Sequence, residues 1–240
     1  APDRRAQLTG LFQALADALL VVVNWVLWLA PAGVFALALV AGARSGLATA
    51  GALLHYIAFI VALCLLVTLL VYPLAVLLGR IGPGRFARAV FPAQAIAFST
   101  QSSIASLPAM IQASDGPLAV RETSRSIVLP LAISLFRITS PPANLGVALY
   151  VAAMNGIDLG ATQLILGVLV AAVVSLAAVG LPSQITFFTT TGPICLAMGV
   201  PVEALPLLLA VETVPDIFRT VGNVTADMGV ARILDQRAAD

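Results

Sequence analysis

The stretch VETVPDIFRTVGNVTAD, residues 211–227, places three acids and one arginine inside a chain that is otherwise strongly apolar. At about 100° per residue, a helix would gather its polar side chains within an arc of roughly 100°. Lipid cannot solvate such a face, so it must point into the protein or a wet cavity, where ionisable groups usually mark a substrate or ion path. The alternative is a structural salt-bridge stripe between helices, which rarely needs so many polar residue types. The face consists of Glu212, Asp216, Arg219, Thr220, Asn223 and Asp227.

Composition places the chain among integral membrane proteins. Of its 240 residues 60% are hydrophobic and 10% are charged, whereas soluble domains carry roughly 25% charged residues. The net charge of +1 argues against nucleic acid as a partner, because nucleic-acid binding needs a clustered basic face. Cys64 and Cys195 lie in separate apolar runs and His55 stands alone, so these residues predict core packing and no metal site. Membrane lipid is therefore an expected partner.

The first half of the chain predicts two spans followed by a hairpin and a broken helix. Residues 11–43 and 47–78 are each long enough for the ~20 residues that a bilayer needs, and ARSGLATAG predicts a turn between them. Residues 86–98 and 104–112 are too short to cross and flank the polar run STQSS, which predicts a re-entrant hairpin over residues 85–113. A single span with a serine-rich middle is the alternative. Residues 120–155 form a helix that FRITSPPAN must interrupt.

The second half repeats this pattern. Residues 162–200 form a second short-helix pair broken at GLPS, and residues 202–236 form the helix that carries the polar face. A twofold unit of broken hairpin plus interrupted helix is typical of secondary transporters with a site at the membrane midplane. The predicted fold class is all-α integral membrane, with transmembrane helices and two re-entrant helical hairpins in an inverted repeat.

The arginines predict the orientation. If the chain enters from the cytoplasm, crosses twice and contains two re-entrant hairpins, nine of its twelve arginines are cytoplasmic, as the positive-inside rule requires. The predicted location is therefore the inner (cytoplasmic) membrane, as a multi-pass protein. The nine are Arg4, Arg5, Arg80, Arg85, Arg88, Arg121, Arg125, Arg232 and Arg237.

Enzymatic activity is not expected. Intramembrane serine proteolysis requires a serine motif with a histidine in reach, and the single histidine lies in another segment. Asp216 and Asp227 are eleven residues apart, about 16 Å along a helix, which is too far for an aspartyl dyad to share a proton.

Three motifs resemble the dicarboxylate and amino acid:cation symporter family, which includes the glutamate transporters. QSSIASLP is similar to the serine-rich tip of the family's first hairpin, GLPS to the tip of its second hairpin, and DIFRTVGNVTAD to the signature of its last helix. The likeness covers the later part of a family member. It implies that residues 1–46 resemble a scaffold helix, that residues 47–240 resemble the mobile transport domain, and that the full-length protein is a homotrimer with elevator-type alternating access.

The resemblance also implies roles for the site residues. Arg219 matches the arginine that binds a substrate's side-chain carboxylate, and Asp216 matches the acid that binds its amino group. Asp227, with Asn223, matches a cation site. Glu212 stands where the family more often has aspartate and is a candidate proton carrier. The remaining implied substrate neighbours are Thr220, Asn223, Ser102, Ser103, Ser140 and Leu181.

The expected function is symport of an acidic amino acid or dicarboxylate, coupled to sodium or protons, with no organic cofactor. Aspartate, glutamate and a dicarboxylate are the candidate substrates. The alternatives are a paralogue or sensor that binds substrate without transporting it, and a proton symporter of C4-dicarboxylates.

Arg137 marks a departure from the family. Family members usually carry NMDGT at the break before the second hairpin, where this chain has FRITS, residues 136–140, with no carboxylate. An arginine at mid-membrane costs about 2.5–3.5 kcal/mol or more unless it is paired or hydrated. Arg137 is therefore a candidate cation surrogate, with Glu212, Asp216 and Asp227 as its nearest prospective partners. The alternative is that it snorkels or lines a hydrated crevice.

Overall fold

The structure is a computed structural model that describes residues 2–178 and 183–238. Every regular element in these ranges is an α-helix. In chain order they are α1 (Pro2–Leu78), α2 (Pro83–Thr100), α3 (Ser103–Asp115), α4 (Glu122–Leu135), α5 (Ser140–Met154), α6 (Ala161–Ala177), α7 (Ser183–Met198), α8 (Leu205–Leu209) and α9 (Thr213–Arg237).

Helix α1 is continuous through the segment where the sequence predicts a turn, so the prediction of two separate helices over residues 11–43 and 47–78 is wrong. The residues of ARSGLATAG include no proline, and its alanines are the best helix formers, which outweighs the cost of two glycines. The two parts of α1 differ in packing. The described side chains between residues 7 and 40 are exposed, whereas the core begins near Leu53.

Helices α2 and α3 form the predicted hairpin. Its tip is made by Gln101, whose φ of 52° places it in the left-handed region, and by Ser102, whose hydroxyl accepts a hydrogen bond from the Ala105 N–H at 3.2 Å. The serine-rich run thus ends one helix and caps the next, as a polar residue at an N-cap does. Whether the hairpin enters and leaves on one side of the membrane stays a prediction.

The predicted interruption in the middle of residues 120–155 is present. Helix α4 ends at Leu135, residues 136–139 leave the helical path, and α5 begins at Ser140 with prolines in its first turn. Proline lacks an N–H and is tolerated only where that donor is unneeded, which fixes the start of α5 at this point.

Helices α6 and α7 pack against each other as the second predicted pair. The tip that the sequence analysis assigns to GLPS lies at residues 180–183, and Leu181, a predicted substrate neighbour, lies outside the described residues.

The polar-faced helix starts later than predicted. In place of one helix over residues 202–236, the chain forms the short α8, a turn at residues 210–212, and then α9. Pro206 in the first turn of α8 and Pro215 in the first turn of α9 each remove a backbone donor, which favours two helix starts over one continuous helix. Glu212 consequently lies just before α9.

Helix α9 is the centre of the packing. It contacts α1, α2, α3 and α4, and the Val224–Asp227 part of its surface is buried on all sides. Its far end is held by Asp235, whose carboxylate accepts hydrogen bonds from Arg121 Nε at 2.8 Å and Ser124 Oγ at 2.7 Å. Burial alone would raise the pKa of Asp235, but the hydrogen bonds from Ser124 and Arg121 outweigh it and hold this pKa below its usual value.

By length and composition, two stretches of the described residues could cross a membrane. These are Ala50–Leu78 and Glu122–Met154, and only 28% and 39% of their most apolar windows are buried inside the protein. Large apolar side chains such as Leu69 and Leu77 are 63% and 72% exposed. Contiguous apolar surface of this kind marks a region that faces lipid or another protein.

We expect Gly222→Ala to destabilise the protein. A Cβ at Gly222 would lie 2.5 Å from Thr68 Oγ1 of α1 and would also clash with the methyl group of Thr139. Overpacking of this kind typically costs about 1–3 kcal/mol. Thermal unfolding of the purified protein measures the loss. Gly51→Ala is the matched control, because a Cβ there meets nothing within 4 Å; equal melting temperatures for the two variants would contradict the packing role.

Candidate functional site

The polar face predicted on α9 is buried. Its five α9 residues are each at most 3% exposed, and Glu212, just before the helix, is fully buried. Asp216, Arg219, Asn223 and Asp227 follow one another at three or four residues, and Thr220 lies four residues after Asp216, so the five share the side of α9 that meets α1 and the break between α4 and α5. The sequence-derived face therefore points into the protein. The five are Asp216, Arg219, Thr220, Asn223 and Asp227.

Arg219 lies between two carboxylates. Its guanidinium Nη2 is 2.6 Å from Glu212 Oε1, and its Nη1 is 3.5 Å from Asp216 Oδ1. The other oxygen of Glu212, Oε2, accepts a hydrogen bond from the Tyr56 hydroxyl of α1 at 2.5 Å. A buried arginine that faces acids in this way is stabilised as a cation and can bind a planar carboxylate through its fork of N–H groups.

Asn223 ties α9 to the break between α4 and α5. Its Oδ1 accepts a hydrogen bond from the Thr139 N–H at 3.0 Å, and its Nδ2 donates to Ser140 Oγ at 3.3 Å. The Thr139 hydroxyl lies 2.6 Å from Asn223 Oδ1 and 2.7 Å from the Arg219 carbonyl oxygen, so its single proton serves one acceptor at a time. These contacts hold the non-helical backbone of residues 136–139 against α9.

Arg137 is in this break and is only 8% exposed. Its guanidinium interacts electrostatically with the carboxylates of Asp216 and Asp227 and is repelled by Arg219. Glu212, the third acid predicted as a partner of Arg137, contacts Arg219 and Tyr56 instead. The arginine therefore belongs to the buried charge cluster.

Asp227 has the most demanding environment in this cluster. It is 1% exposed, and neither carboxylate oxygen accepts a hydrogen bond from the described residues. Burying a carboxylate with no compensating donor is costly, so such a group takes up a cation or a proton. Carboxylate and amide oxygens are the ligand type that hard cations prefer, and Asn223 lies one helical turn away. The Asp227 carboxylate can thus receive a cation or a proton, and the cation site at Asp227 and Asn223 stays a prediction.

The structure shows fewer contacts for Ser102 and Ser103, the two predicted substrate neighbours at the tip of the α2–α3 hairpin. Ser103 is 2% exposed and its hydroxyl has no hydrogen-bond partner among the described residues, while Ser102 caps α3. Near this tip, the Phe98 ring of α2 meets the Phe218 ring of α9 edge to face, with centroids 6.4 Å apart. The hairpin thus packs on α9.

The formal charges of the cluster do not cancel. It contains three buried acids, Glu212, Asp216 and Asp227, and two buried arginines, Arg137 and Arg219, so two positive charges minus three negative charges leave −1. The undescribed residues 179–182, Val-Gly-Leu-Pro, add no ionisable group. With all five groups counted as ionised, one further positive charge, carried by a cation or a proton, would balance the cluster.

Sequence reasoning missed two residues of this site. Tyr56 is 156 residues from Glu212 in the chain, so no local pattern connects them. Thr139 lies inside the predicted break, directly before Ser140, and its place in that break was the signal that could have identified it.

Comparison with known proteins points to a family of membrane transporters. Residues 1–237 match the sodium:dicarboxylate symporter family. The chain belongs to this family, as the three motifs indicated.

Curated relatives are amino acid transporters. The chain is 31% identical over 228 residues to the neutral amino acid transporter B(0) of Bos taurus, covering 93% of this chain and 42% of the relative. It is 28% identical over 233 residues to the neutral amino acid transporter A of Homo sapiens, covering 95% of this chain and 43% of the relative. The chain thus spans less than half the length of these relatives.

We expect Thr139→Val to loosen the site. The variant keeps the shape but removes the hydroxyl shared by Asn223 and the Arg219 carbonyl, and an unsatisfied buried group costs about 1–3 kcal/mol. Thr190→Val is the matched control, because the hydroxyl of that buried threonine bonds only carbonyls of its own helix, including Thr186 O at 2.9 Å. Thermal unfolding should show a larger drop in melting temperature for Thr139→Val than for Thr190→Val. The opposite order would argue against the role of Thr139 in holding the break against α9.

Proposed function

We propose that the full-length protein is a secondary active transporter that carries a small amino acid, with an acidic side chain as the preferred form, across the cytoplasmic membrane. The observation that carries the proposal is the juxtaposition of the Arg219 guanidinium with the Asp216 carboxylate, 3.5 Å apart, on the buried face of α9. One cationic and one anionic group on a shared face match the carboxylate and the ammonium of an amino acid.

The geometry of the site bears on the charge of the substrate. Arg219 offers a planar fork to a side-chain carboxylate, which favours aspartate or glutamate, and Asp216 offers a partner to the ammonium group that succinate lacks. Neutral amino acids are the second candidate, because Arg219 is engaged at 2.6 Å by Glu212 and the curated relatives are named as neutral amino acid transporters.

Cation coupling follows from Asp227 and Arg137. Asp227 and Asn223 form the candidate cation site, and the excess charge of −1 is balanced by one sodium ion or one proton. Arg137 adds a permanent positive charge beside Asp227 and Asp216. It thereby supplies part of the charge that additional cations would otherwise bring.

The transport step proposed is an elevator-type displacement. The α2–α3 and α6–α7 hairpins, of which α2, α3 and α7 contact α9, would enter the membrane as re-entrant elements. The α2–α3 tip with Ser102 and Ser103 would close over a substrate that also contacts Ser140. The trimeric state expected for the full-length protein would supply the static scaffold against which this unit moves. Family membership and the helix pairing support this mechanism.

A protein that binds substrate without moving it, and a proton symporter of C4-dicarboxylates, are the competing functions. Counterflow uptake into liposomes by the full-length protein separates them. Uptake of labelled aspartate or glutamate into substrate-loaded vesicles supports the proposal, whereas binding without uptake supports the sensor, and uptake of succinate in preference to aspartate supports the dicarboxylate symporter.

We expect Asp216→Ser to weaken aspartate binding severely. Removing one partner from a buried charged site costs on the order of 3–5 kcal/mol, which is about 10²–10³-fold or more in affinity. Titration calorimetry of the purified protein measures this loss of aspartate affinity. Asp235→Asn is the matched control, since it removes a buried acid of the same helix that is bound to Arg121 and Ser124. Unchanged aspartate affinity in Asp216→Ser would remove the ammonium site from the proposal.

We expect substrate affinity to depend weakly on sodium, with a slope of about one ion, when sodium buffers are compared with choline buffers. The reason is that Arg137 already provides a cation beside Asp227. In Arg137→Gln the cluster becomes one unit more negative, so the sodium dependence should become steeper by about one ion. A steep, multi-ion dependence in the unmodified protein would show that Arg137 does not replace a cation.

A further inference from the structure

Glu212 is bound on both of its carboxylate oxygens by groups from opposite sides. Oε1 is 2.6 Å from Arg219 Nη2, and Oε2 accepts the Tyr56 hydroxyl at 2.5 Å. The residue is fully buried, so both contacts act where water competes least. The contact with Arg219 is a close ion pair, and the contact with Tyr56 is a short charge-assisted hydrogen bond, which is a strong kind of hydrogen bond in proteins.

The group that Glu212 presents to Arg219 is chemically the group that an acidic substrate would present. A side-chain carboxylate of aspartate or glutamate needs the same guanidinium, and the side of the guanidinium at Nη2 is already occupied by the Glu212 carboxylate 2.6 Å away. Displacing Glu212 would leave a buried carboxylate with Tyr56 as its remaining partner, which is costly. An amino acid without a side-chain carboxylate binds with the Glu212–Arg219 pair intact.

The other charged and titratable groups around Arg219 do not relieve this competition. Asp216 contacts Nη1 at 3.5 Å and is the proposed partner of the substrate ammonium. Arg137 repels Arg219, and from α1 only Cys64 and Tyr56, both ordinarily neutral, act on it electrostatically among the described residues. Glu212 is therefore the closest anionic competitor in the described part of the site.

From this geometry we infer that the Glu212 carboxylate is an internal competitor for the Arg219 guanidinium and sets the relative affinity of the site for amino acids with and without a side-chain carboxylate. This inference rests on the proposed function. It makes Glu212 a specificity-determining residue rather than a direct ligand of the substrate.

Tyr56 acts through Glu212 as a positioning residue. It is fully buried, and its ring meets the Tyr150 ring edge to face with centroids 5.3 Å apart. Tyr150 is fixed in turn by a hydrogen bond from its hydroxyl to the Ala52 carbonyl at 2.7 Å. This aromatic pair holds the Tyr56 hydroxyl at the Glu212 carboxylate, and thus the carboxylate at Arg219.

The test is the affinity ratio of aspartate to alanine in the purified full-length protein, measured by calorimetry for the unmodified protein and for Glu212→Gln. The amide keeps the size of the side chain but removes the charge that holds Arg219. The ratio should rise at least tenfold in favour of aspartate. Because both affinities come from one preparation, partial loss of folded protein does not change the ratio. Asp235→Asn, which removes the charge of a buried acid bound to Arg121, should leave the aspartate-to-alanine affinity ratio unchanged.

Tyr56→Phe provides a second, independent variant. It should raise the same ratio about three- to tenfold, and Tyr72→Phe, which removes a hydroxyl of the same helix that accepts a hydrogen bond from Gln94 Nε2 at 3.2 Å, should not. In the double variant with Glu212→Gln, Tyr56→Phe should add nothing, because a residue that acts through Glu212 has no effect once the carboxylate is gone.

An affinity ratio that stays within about twofold in Glu212→Gln, or additive effects in the double variant, would overturn the inference while leaving the proposed transporter intact. If the unmodified protein binds neither aspartate nor alanine, the proposed function itself fails and the inference fails with it.

Discussion

The structure depends on the burial of five ionisable side chains around one helix. Water would solvate each of them far better than a protein interior does, so the charges must compensate one another closely. Arg219 does this for Glu212 and Asp216 through ion pairs, and Arg137 does so for Asp216 and Asp227 through the field at the helix break. The helices that contact α9 are arranged so that these groups meet, and the incomplete cancellation of charge leaves the cluster ready for a ligand.

The break between α4 and α5 has a specific purpose in this arrangement. A continuous helix would satisfy its own backbone groups and could not offer an N–H to Asn223. At Thr139 the backbone N–H instead donates to the Asn223 amide at 3.0 Å, and the close approach of Gly222 lets α9 lie directly against this segment. The irregular backbone is thus covered by protein on the side of α9, which is the condition under which such backbone is tolerated at membrane depth.

Local patterns in the sequence predicted many features of the fold and the site. They did not predict the features that depend on contacts between residues far apart in the chain. The helical period placed Asp216, Arg219 and Asn223 on one face, and consecutive prolines located the start of α5. The turn predicted in α1 failed because alanine-rich sequence has no local reason to leave a helix, and the predicted single helix over residues 202–236 failed because prolines start two helices there. The Tyr56–Glu212 contact spans 156 positions, and no periodicity can reveal a pairing of that kind.

The order in which the chain is made has a consequence for its assembly. A chain synthesised from its N-terminus produces Arg137 about 75 residues before the three acids of the cluster, and domains fold from the N-terminal side as they emerge. Tyr56, Thr139 and Ser140 likewise precede their partners, Glu212 and Asn223, in the chain. Arg137 therefore cannot meet the acids of the cluster until α9 inserts among the earlier helices. Insertion of α9 is thus the event that brings the charged groups of this cluster together.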